Sequence, residues 1–503
     1  MKKYLHWTIV LLILINIYFA AWLPLHGDLT LFPDNARDLL LMEDVANNKP
    51  ITLIGPHSGG IPGLFHGPLW TYINMPAYLL GKGNPAYVGI FWVILYVLTI
   101  FFVYLVGKKL FDKTVGLLSS LLFSAIFMSF VPGFGNPYGS VLLFPVFFYY
   151  FVIYLKEYKV KFLLISLFIL GLIIQFQMAF GVPILAVVLI FLVINLYNNK
   201  KLFHLFSFFI LLVPLSTFII FDIRHNFLQL HSLINYIISR NIEKTSFFDM
   251  YFLTHRIPLI FTDGLSLITR GQWWLTSILI IYFLYIYWRV IKSKKIFYKK
   301  IYFISALLYI GFWVVTLLYK GQMWLYYHWQ MIPMLIIVIC SGYLAISKKV
   351  FATVFCIFYL FIMFSQITWI KGIQNDFIGK DRVSWVFFRN AIDDIYKENS
   401  SPFGYYIFED DLLGYRGLYT FHYLQQFHKN VQAVSNTKKQ NTYLIVISEH
   451  NQSWWKANQI RISSSPAYKK IFKNNYEVEK YILSNADQQI PSDPNLTDNL
   501  FFR

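Results

Sequence analysis

The sequence is short of charge. Only 14% of its 503 residues are Asp, Glu, Lys or Arg, against 57% hydrophobic and 20% aromatic. A soluble domain of this length needs far more polar surface, so that class is excluded. Acid is the scarcer sign: 25 Asp and Glu against 43 Lys and Arg leave a formal charge of +18. Cysteine is nearly missing. Cys340 and Cys356 both fall in apolar runs as small core residues, which removes a disulfide framework and a thiolate metal site. No P-loop, dinucleotide fingerprint, HExxH pair or internal repeat occurs either.

What the chain has is long apolar runs, with a mean hydropathy of +0.53. A membrane-spanning helix needs about 20 apolar residues. Such runs lie at 5–25, 85–107, 113–131, 137–155, 161–175, 179–197, 202–222, 273–291, 301–319, 327–346 and 350–370, predicting about eleven spans. The lysines gather at Lys108-Lys109, Lys156…Lys161, Lys200-Lys201, Arg289…Lys300 and Lys348-Lys349, alternating with charge-poor connections such as 132–137. With Met1-Lys2-Lys3 in the cytoplasm, every cluster falls inside, as the positive-inside bias requires. That accounts for much of the excess charge without nucleic acid, for which no basic, aromatic-interleaved soluble surface exists. The N-terminal run is long for a signal peptide and ends in no clear small-residue cleavage site, so it reads as an uncleaved first helix. The piece 69–81 is short, contains Pro76, and as a span would invert every later loop. It reads as an interfacial or re-entrant helix.

The fold expected is therefore an all-α polytopic membrane protein with a small α/β extracytoplasmic C-terminal domain. Residues 1–371 form the membrane domain, with outer loops at 26–84 and 223–272, and 372–503 form the outer domain. A short outer loop runs from Lys320 to Tyr326. In the tail, 382–399 has a helical pattern, whereas 405–410 and 442–448 alternate as strands.

Chemistry in water then has few places to occur, and the loop from His26 to Leu69 is the first. Asp34-Asn35-Ala36-Arg37-Asp38 opens an amphipathic helix. Asp34 and Asp38 are four apart and share a face, with Arg37 beside them. Like charges at that spacing cost a few tenths of a kcal/mol, so a proton acceptor or a cation site competes with a plain N-cap role for Asp34. Beyond it, GPHSGGIPGLFHGPLW carries His57 and His66 among turn-forming glycines and prolines. Glu409-Asp410-Asp411 in the tail reads as a solvated turn, and Trp454-Trp455 as packing of the tail domain onto the membrane.

The order of basic start, first span, PDNARD loop and FHGPLWTYI before the second span resembles the GT-C membrane glycosyltransferases. More narrowly it is similar to the protein-mannosyltransferase-like group, glycosyltransferase family 39, which includes aminoarabinose transferases. That group carries an Asp-Glu pair in the first outer loop and then an HPPL-like segment. Here Asp34 matches the aspartate, Asn35 stands where the glutamate would be, and His66-Gly67-Pro68-Leu69 replaces HPPL. Asp38 or Glu43 is left to substitute for the second acid.

The resemblance implies inverting transfer of a sugar from a polyprenyl-phosphate carrier to a lipid, glycan or protein acceptor on the outer face. Asp34 would be the catalytic base for the acceptor hydroxyl. Substrate binding would fall to Arg224 in Asp222-Ile223-Arg224-His225, to Lys320 and His328 near the tenth span, and to Asp38, His66 and Arg37. Arg256 and Arg270 rank below these. Relatives sometimes hold a divalent cation by the acidic loop, but Asp34, Asp38, His57 and His66 match no standard ligand spacing, so the cofactor is unassigned. The competing class is a transporter or flippase of a lipid-linked glycan intermediate. It is disfavoured because transporters place ionisable groups within spans, and these spans have almost none.

Overall fold

A computed structural model describes residues 2–48, 51–58, 60–238, 250–319, 321–409, 414–446 and 452–496. In chain order the helices begin with α1 (Lys2–Leu25), α2 (Pro33–Asn47), α3 (Leu69–Leu80), α4 (Pro85–Leu110), α5 (Lys113–Phe127) and α6 (Pro137–Glu157). There follow α7 (Val160–Phe176), α8 (Met178–Asn198), α9 (Ser216–Arg224), α10 (Leu228–Ile238), α11 (Met250–Leu259) and α12 (Thr262–Thr269). Then come α13 (Trp273–Lys292), α14 (Ile296–Thr316), α15 (Ile332–Ser341), α16 (Lys348–Gly372), α17 (Trp385–Lys397) and α18 (Tyr415–Gln425), with the short α19 (Gln452–Trp454) and α20 (Asn485–Gln489) last. Among the described residues, α1, α4, α6, α8, α13, α14 and α16 are long and apolar enough to cross a membrane, making seven. The chain is a multi-pass membrane protein.

The other apolar runs take shorter or broken forms. Leu202–Leu212 and Ser216–Arg224 make a pair bent by 65°, with Pro214 at the break. Proline removes a backbone donor and clashes with the preceding turn, which fixes the bend there. Lys113–Phe127, Val160–Phe176 and Trp329–Leu344 are apolar helices of 10–17 residues. Together with the seven, these elements account for each apolar run in the sequence. α3 has 12 residues, about 18 Å of helix, too short for a hydrocarbon core of about 30 Å.

Contacts divide the chain into two compact units. The first comprises Met1–Ala20, Ile51–Ile73 and Trp92–Ile367, and the second Ala21–Pro50, Asn74–Phe91 and Thr368–Arg503. In the first unit, α4 and α5 form a tight antiparallel pair. A Cβ on Gly107 would lie 2.9 Å from the Gly116 Cα, so the two backbones meet without side chains between them. Asp112 caps the start of α5, accepting the Val115 N–H at 2.8 Å. Some of the polar side chains inside this apolar unit pair with one another or with a carbonyl: Asn16 donates to the Ser124 hydroxyl at 2.9 Å, Tyr138 to Thr99 at 3.0 Å, and Gln366 to the Ala125 carbonyl at 3.0 Å. Isoleucine, leucine and phenylalanine side chains such as Ile94, Phe101, Ile194 and Phe364 point outward, as a hydrocarbon solvent demands.

The second unit is built on a five-stranded mixed sheet of order β2-β1-β3-β5-β4. Its strands are β1 (Phe403–Phe408), β2 (Ala433–Ser435), β3 (Asn441–Val446), β4 (Tyr468–Ile471) and β5 (Glu477–Ile482). β1 runs parallel to β2 and β3, while β5 is antiparallel to both β3 and β4. The helix and the two strands predicted for the tail are α17, β1 and β3. Tyr406, Leu444, Val446, Trp455, Ile460, Tyr481 and Leu483 form a core on the sheet. Trp455 is thus a core residue stacked on Phe408 with ring centroids 4.8 Å apart, rather than a membrane contact, whereas Trp454 is exposed. Of the acidic run, Glu409 is buried against Arg416 at 2.8 Å, and Asp410 and Asp411 lie outside the described residues.

Part of the first loop belongs to this second unit. Leu31 N–H donates to the Val383 carbonyl at 2.7 Å and Trp385 N–H to the Leu29 carbonyl at 3.1 Å, so residues 28–31 pair edge-on with 383–385. α2 then packs on α18.

Candidate active site

α2 begins with Pro33 at its first position, where the missing N–H costs nothing. Phe32 is the N-cap and no side chain caps the helix, so Asp34 does not serve as an N-cap. It lies in the first turn, where the helix dipole favours a carboxylate. Arg37, one turn on, divides its guanidinium between two acids. Its Nη1 donates to Asp34 Oδ1 at 2.7 Å, while Nη2 and Nε reach Asp38 Oδ1 at 3.1 and 3.3 Å. Burial works to lower the Arg37 pKa, but Asp34 and Asp38 outweigh it and the net shift is upward, so the guanidinium stays charged.

The two carboxylates differ in access. The Asp34 side chain is 66% exposed and that of Asp38 5%. One cation therefore anchors both acids and leaves Asp34 turned to solvent. Further along the helix, Glu43 Oε2 accepts from the His422 ring Nδ1 at 2.9 Å, and so is engaged at the far end of α2. Of the two residues left to substitute for the missing glutamate, Asp38 is the one on Arg37.

In the first unit the glycine-rich segment is seated on the junction of α7 and α8. Gly67 N–H donates to the Gln175 carbonyl at 2.9 Å, and Gly55 N–H to the His66 carbonyl at 2.8 Å. The His66 ring is buried and its Nδ1 accepts the Met178 N–H at 3.4 Å, a frame rather than an exposed ligand. A Cβ at position 67 would lie 1.7 Å from the Gln175 Oε1. Neither alanine nor the proline of HPPL fits there, which is the local reason for Gly67. His57 Nε2 accepts the Gly63 N–H at 3.2 Å within the same segment.

The cationic candidates lie elsewhere in that unit. Arg224 is the last residue of α9, exposed, and in no ion pair among the described residues. Asp222 fixes the turn after it, accepting the Gln229 and Leu230 N–H groups at 2.9 and 3.1 Å at the head of α10. His328 is buried against Trp313 with ring centroids 5.2 Å apart. Lys320 lies outside the described residues. Arg256 is a loop organiser, donating to the Tyr319 and Gly321 carbonyls at 3.0 and 2.8 Å. Arg270 reaches the Ile126 carbonyl at 3.3 Å.

Thus Asp34, Arg37 and Asp38 meet on one helix of the second unit, while His66, Arg224 and His328 belong to the first. No group of three or more His, Cys, Asp or Glu side chains placed to hold a metal occurs among the described residues. Two contributors escaped sequence reading. Asp28 is fully buried and accepts from Ser384, and Gln175 supports Gly67. The Ser384-Trp385 step before a helical pattern is a readable N-cap signal, but its partner 356 positions away is not.

The family model described as dolichyl-phosphate-mannose-protein mannosyltransferase matches residues 66–221, a stretch that starts at His66 and stops short of Arg224. The fold is similar to that of ArnT from Cupriavidus metallidurans bound to undecaprenyl phosphate, at TM-score 0.56 and 10% identity. The apo form gives 0.56 and 11%, and both alignments cover 94% of this chain and 97% of that one. The Archaeoglobus fulgidus oligosaccharyltransferase, in complex with Zn and sulfate, aligns at TM-score 0.48 and 14% identity, over 87% of this chain and 67% of its own. No curated protein matches the sequence. The chain is a multi-pass membrane protein with the GT-C fold, carrying the mannosyltransferase pattern over residues 66–221.

Proposed function

We propose that this protein is a membrane glycosyltransferase that moves a sugar from a polyprenyl-phosphate carrier to an acceptor on the outer face, with inversion. The observation that carries this reading is the unequal pair on α2, where Arg37 binds both acids but only Asp34 is open to an incoming hydroxyl. The family model over residues 66–221 supports a glycosyltransferase. The whole-length similarity to ArnT, a protein that binds undecaprenyl phosphate, supports the donor class. The acceptor is a lipid, glycan or protein hydroxyl or an equivalent nucleophile.

In the reaction, Asp34 takes the acceptor proton as the acceptor oxygen bonds to the anomeric carbon. The bond from that carbon to the phosphate oxygen breaks, and its electron pair leaves on the phosphate. A phosphate leaving group is already acidic, so it needs cations to hold it rather than an acid to protonate it. Arg224 is the first choice by its bidentate geometry, with Lys320 and His328 behind it. The N-terminus is cytoplasmic, and 372–503 is an extracytoplasmic domain, by the loop-charge alternation.

The test is an Asp34→Asn variant in membranes given a labelled polyprenyl-phosphate sugar. Donor binding is expected to persist while transfer is lost. Unchanged product formation removes Asp34 as the base. Donor carried across the bilayer with no product in the unaltered protein would favour a flippase instead.

A further inference from the structure

The densest group of cations in the chain is not used by this reaction. A cavity of about 450 Å³ opens between the end of α13 and the start of α14 in the first unit. Arg289, Lys292, Lys294 and Lys295 line it, and no carboxylate does. Among the described residues none of the four is in an ion pair. Charges that serve only to orient a membrane protein need to be solvated and on the right side, but they need no common cavity. These converge on one.

The walls are ordered by the same cations. Lys292 Nζ sits 4.1 Å from the Trp288 ring centre and Lys295 Nζ 4.9 Å from that of Tyr298. At the floor, the Tyr302 and Ser341 hydroxyls share a hydrogen bond at 2.5 Å, offering neutral polar atoms below the positive mouth. Beside it the surface turns apolar. Ile291 and Ile296 are 64% and 70% exposed, and Trp288 is half-exposed. A cationic mouth ringed by tryptophan and tyrosine and flanked by exposed isoleucine suits a ligand with an anionic head and hydrocarbon tails.

We propose that this cleft binds the phosphate headgroup of an anionic phospholipid, at a site distinct from the acidic helix proposed for sugar transfer. The phosphate sits among Arg289, Lys292 and Lys295, and the acyl chains run along the isoleucine flank. Because the loop-charge alternation puts this lysine-rich connection in the cytoplasm, the lipid comes from the inner leaflet. Occupancy would brace the α13–α14 hairpin.

The experiment uses the full chain in detergent, with retained lipid counted by native mass spectrometry after titration with phosphatidylglycerol or phosphatidylcholine. The unaltered protein is expected to retain phosphatidylglycerol at least several-fold better. The pair Lys292→Gln and Lys295→Gln should weaken that retention by about tenfold or more, each cation near an anionic surface contributing a comparable factor. The pair Lys200→Gln and Lys201→Gln removes equal charge from another loop of the same face, outside the cleft, and should leave retention unchanged. Equal losses in both pairs, or no preference in the unaltered protein, would overturn the site. Millimolar inorganic phosphate that displaces the lipid would reassign the cleft to a soluble phosphate. Should the first pair fail to fold, Lys292→Arg with Lys295→Arg must still retain phosphatidylglycerol, and loss there overturns the proposal too.

Discussion

Asp28 accepts the Ser384 hydroxyl at 2.6 Å, across 356 positions of sequence. Asp28 also accepts the N–H groups of Leu29 at 2.8 Å and Val386 at 3.1 Å, and Ser384 in turn caps α17 by accepting the Phe387 N–H at 3.2 Å. Both residues are fully buried. The start of the first loop is thereby fastened to the start of α17 within one unit, immediately before the helix that carries Asp34. Ser384→Ala should cost about 1 kcal/mol for the lost cap, and more because Asp28 loses its hydroxyl donor, roughly 2–3 kcal/mol in all. Asp28→Ala should cost a similar amount, and the double variant less than the sum. Thermal unfolding of the four proteins measures the coupling, and simple additivity would show that the two residues do not act as a pair.

The same carboxylate gives the unit a pH dependence. Burial raises the Asp28 pKa above the ordinary carboxylate value, against the lowering influence of Ser384, Val386 and Leu29. An acid whose folded pKa is raised holds its proton more tightly when folded. Its contribution is complete below its unfolded pKa of about 4 and is lost as pH climbs through the higher folded value. The Tm of the unaltered protein minus that of Asp28→Asn is therefore expected to shrink from pH 4 toward neutrality. A gap that is constant, or that widens with pH, would show that the carboxylate is not held above its unfolded pKa.

Gly67 is fixed by the nearness of Gln175, whose Nε2 is held by the Pro214 carbonyl at 2.7 Å and Thr217 at 2.8 Å. Because Gln175 cannot swing away freely, Gly67→Ala should destabilise by about 1–3 kcal/mol through overpacking. Adding Gln175→Ala removes the colliding amide and should restore part of the loss, though the Gln175 Cα still lies 3.0 Å from the added methyl. The readout is Tm in detergent. No recovery in the double variant would place the cause elsewhere.

Long patterns were readable and point contacts were not. Every apolar run became an apolar helical element, because a continuous apolar run in hydrocarbon satisfies its backbone hydrogen bonds within the segment itself, which a helix does. At 69–81 the short apolar run made a helix too short to span legible. The bend at Pro214 has a local signal in the proline itself, which the length of the apolar run masks. In the tail, β1 and β3 followed from alternation, but the ownership of residues 28–31 did not, since edge pairing with 383–385 leaves no periodic trace. Arg37 was visible beside its two acids. That it buries Asp38 and exposes Asp34 depends on which face α2 turns to α18, a tertiary fact.

That inequality supports a prediction separating catalysis from scaffolding. Arg37 is ion-paired with the almost wholly buried Asp38, so Arg37→Ala breaks a buried pair and should destabilise by about 3 kcal/mol and lower transfer as well. Arg37→Lys keeps the charge but cannot reach both carboxylates with a planar fork, so intermediate losses in both readouts are expected. Asp34 is largely exposed and contributes little to stability, since an exposed ion pair adds at most about 1 kcal/mol. Asp34→Asn should thus leave Tm within a few degrees while kcat falls by about 10²- to 10⁴-fold with KM for the donor unchanged. If Asp34→Asn instead lowers Tm as far as Arg37→Ala and spares kcat in the folded fraction, the residue is part of the scaffold, and the base must be sought elsewhere.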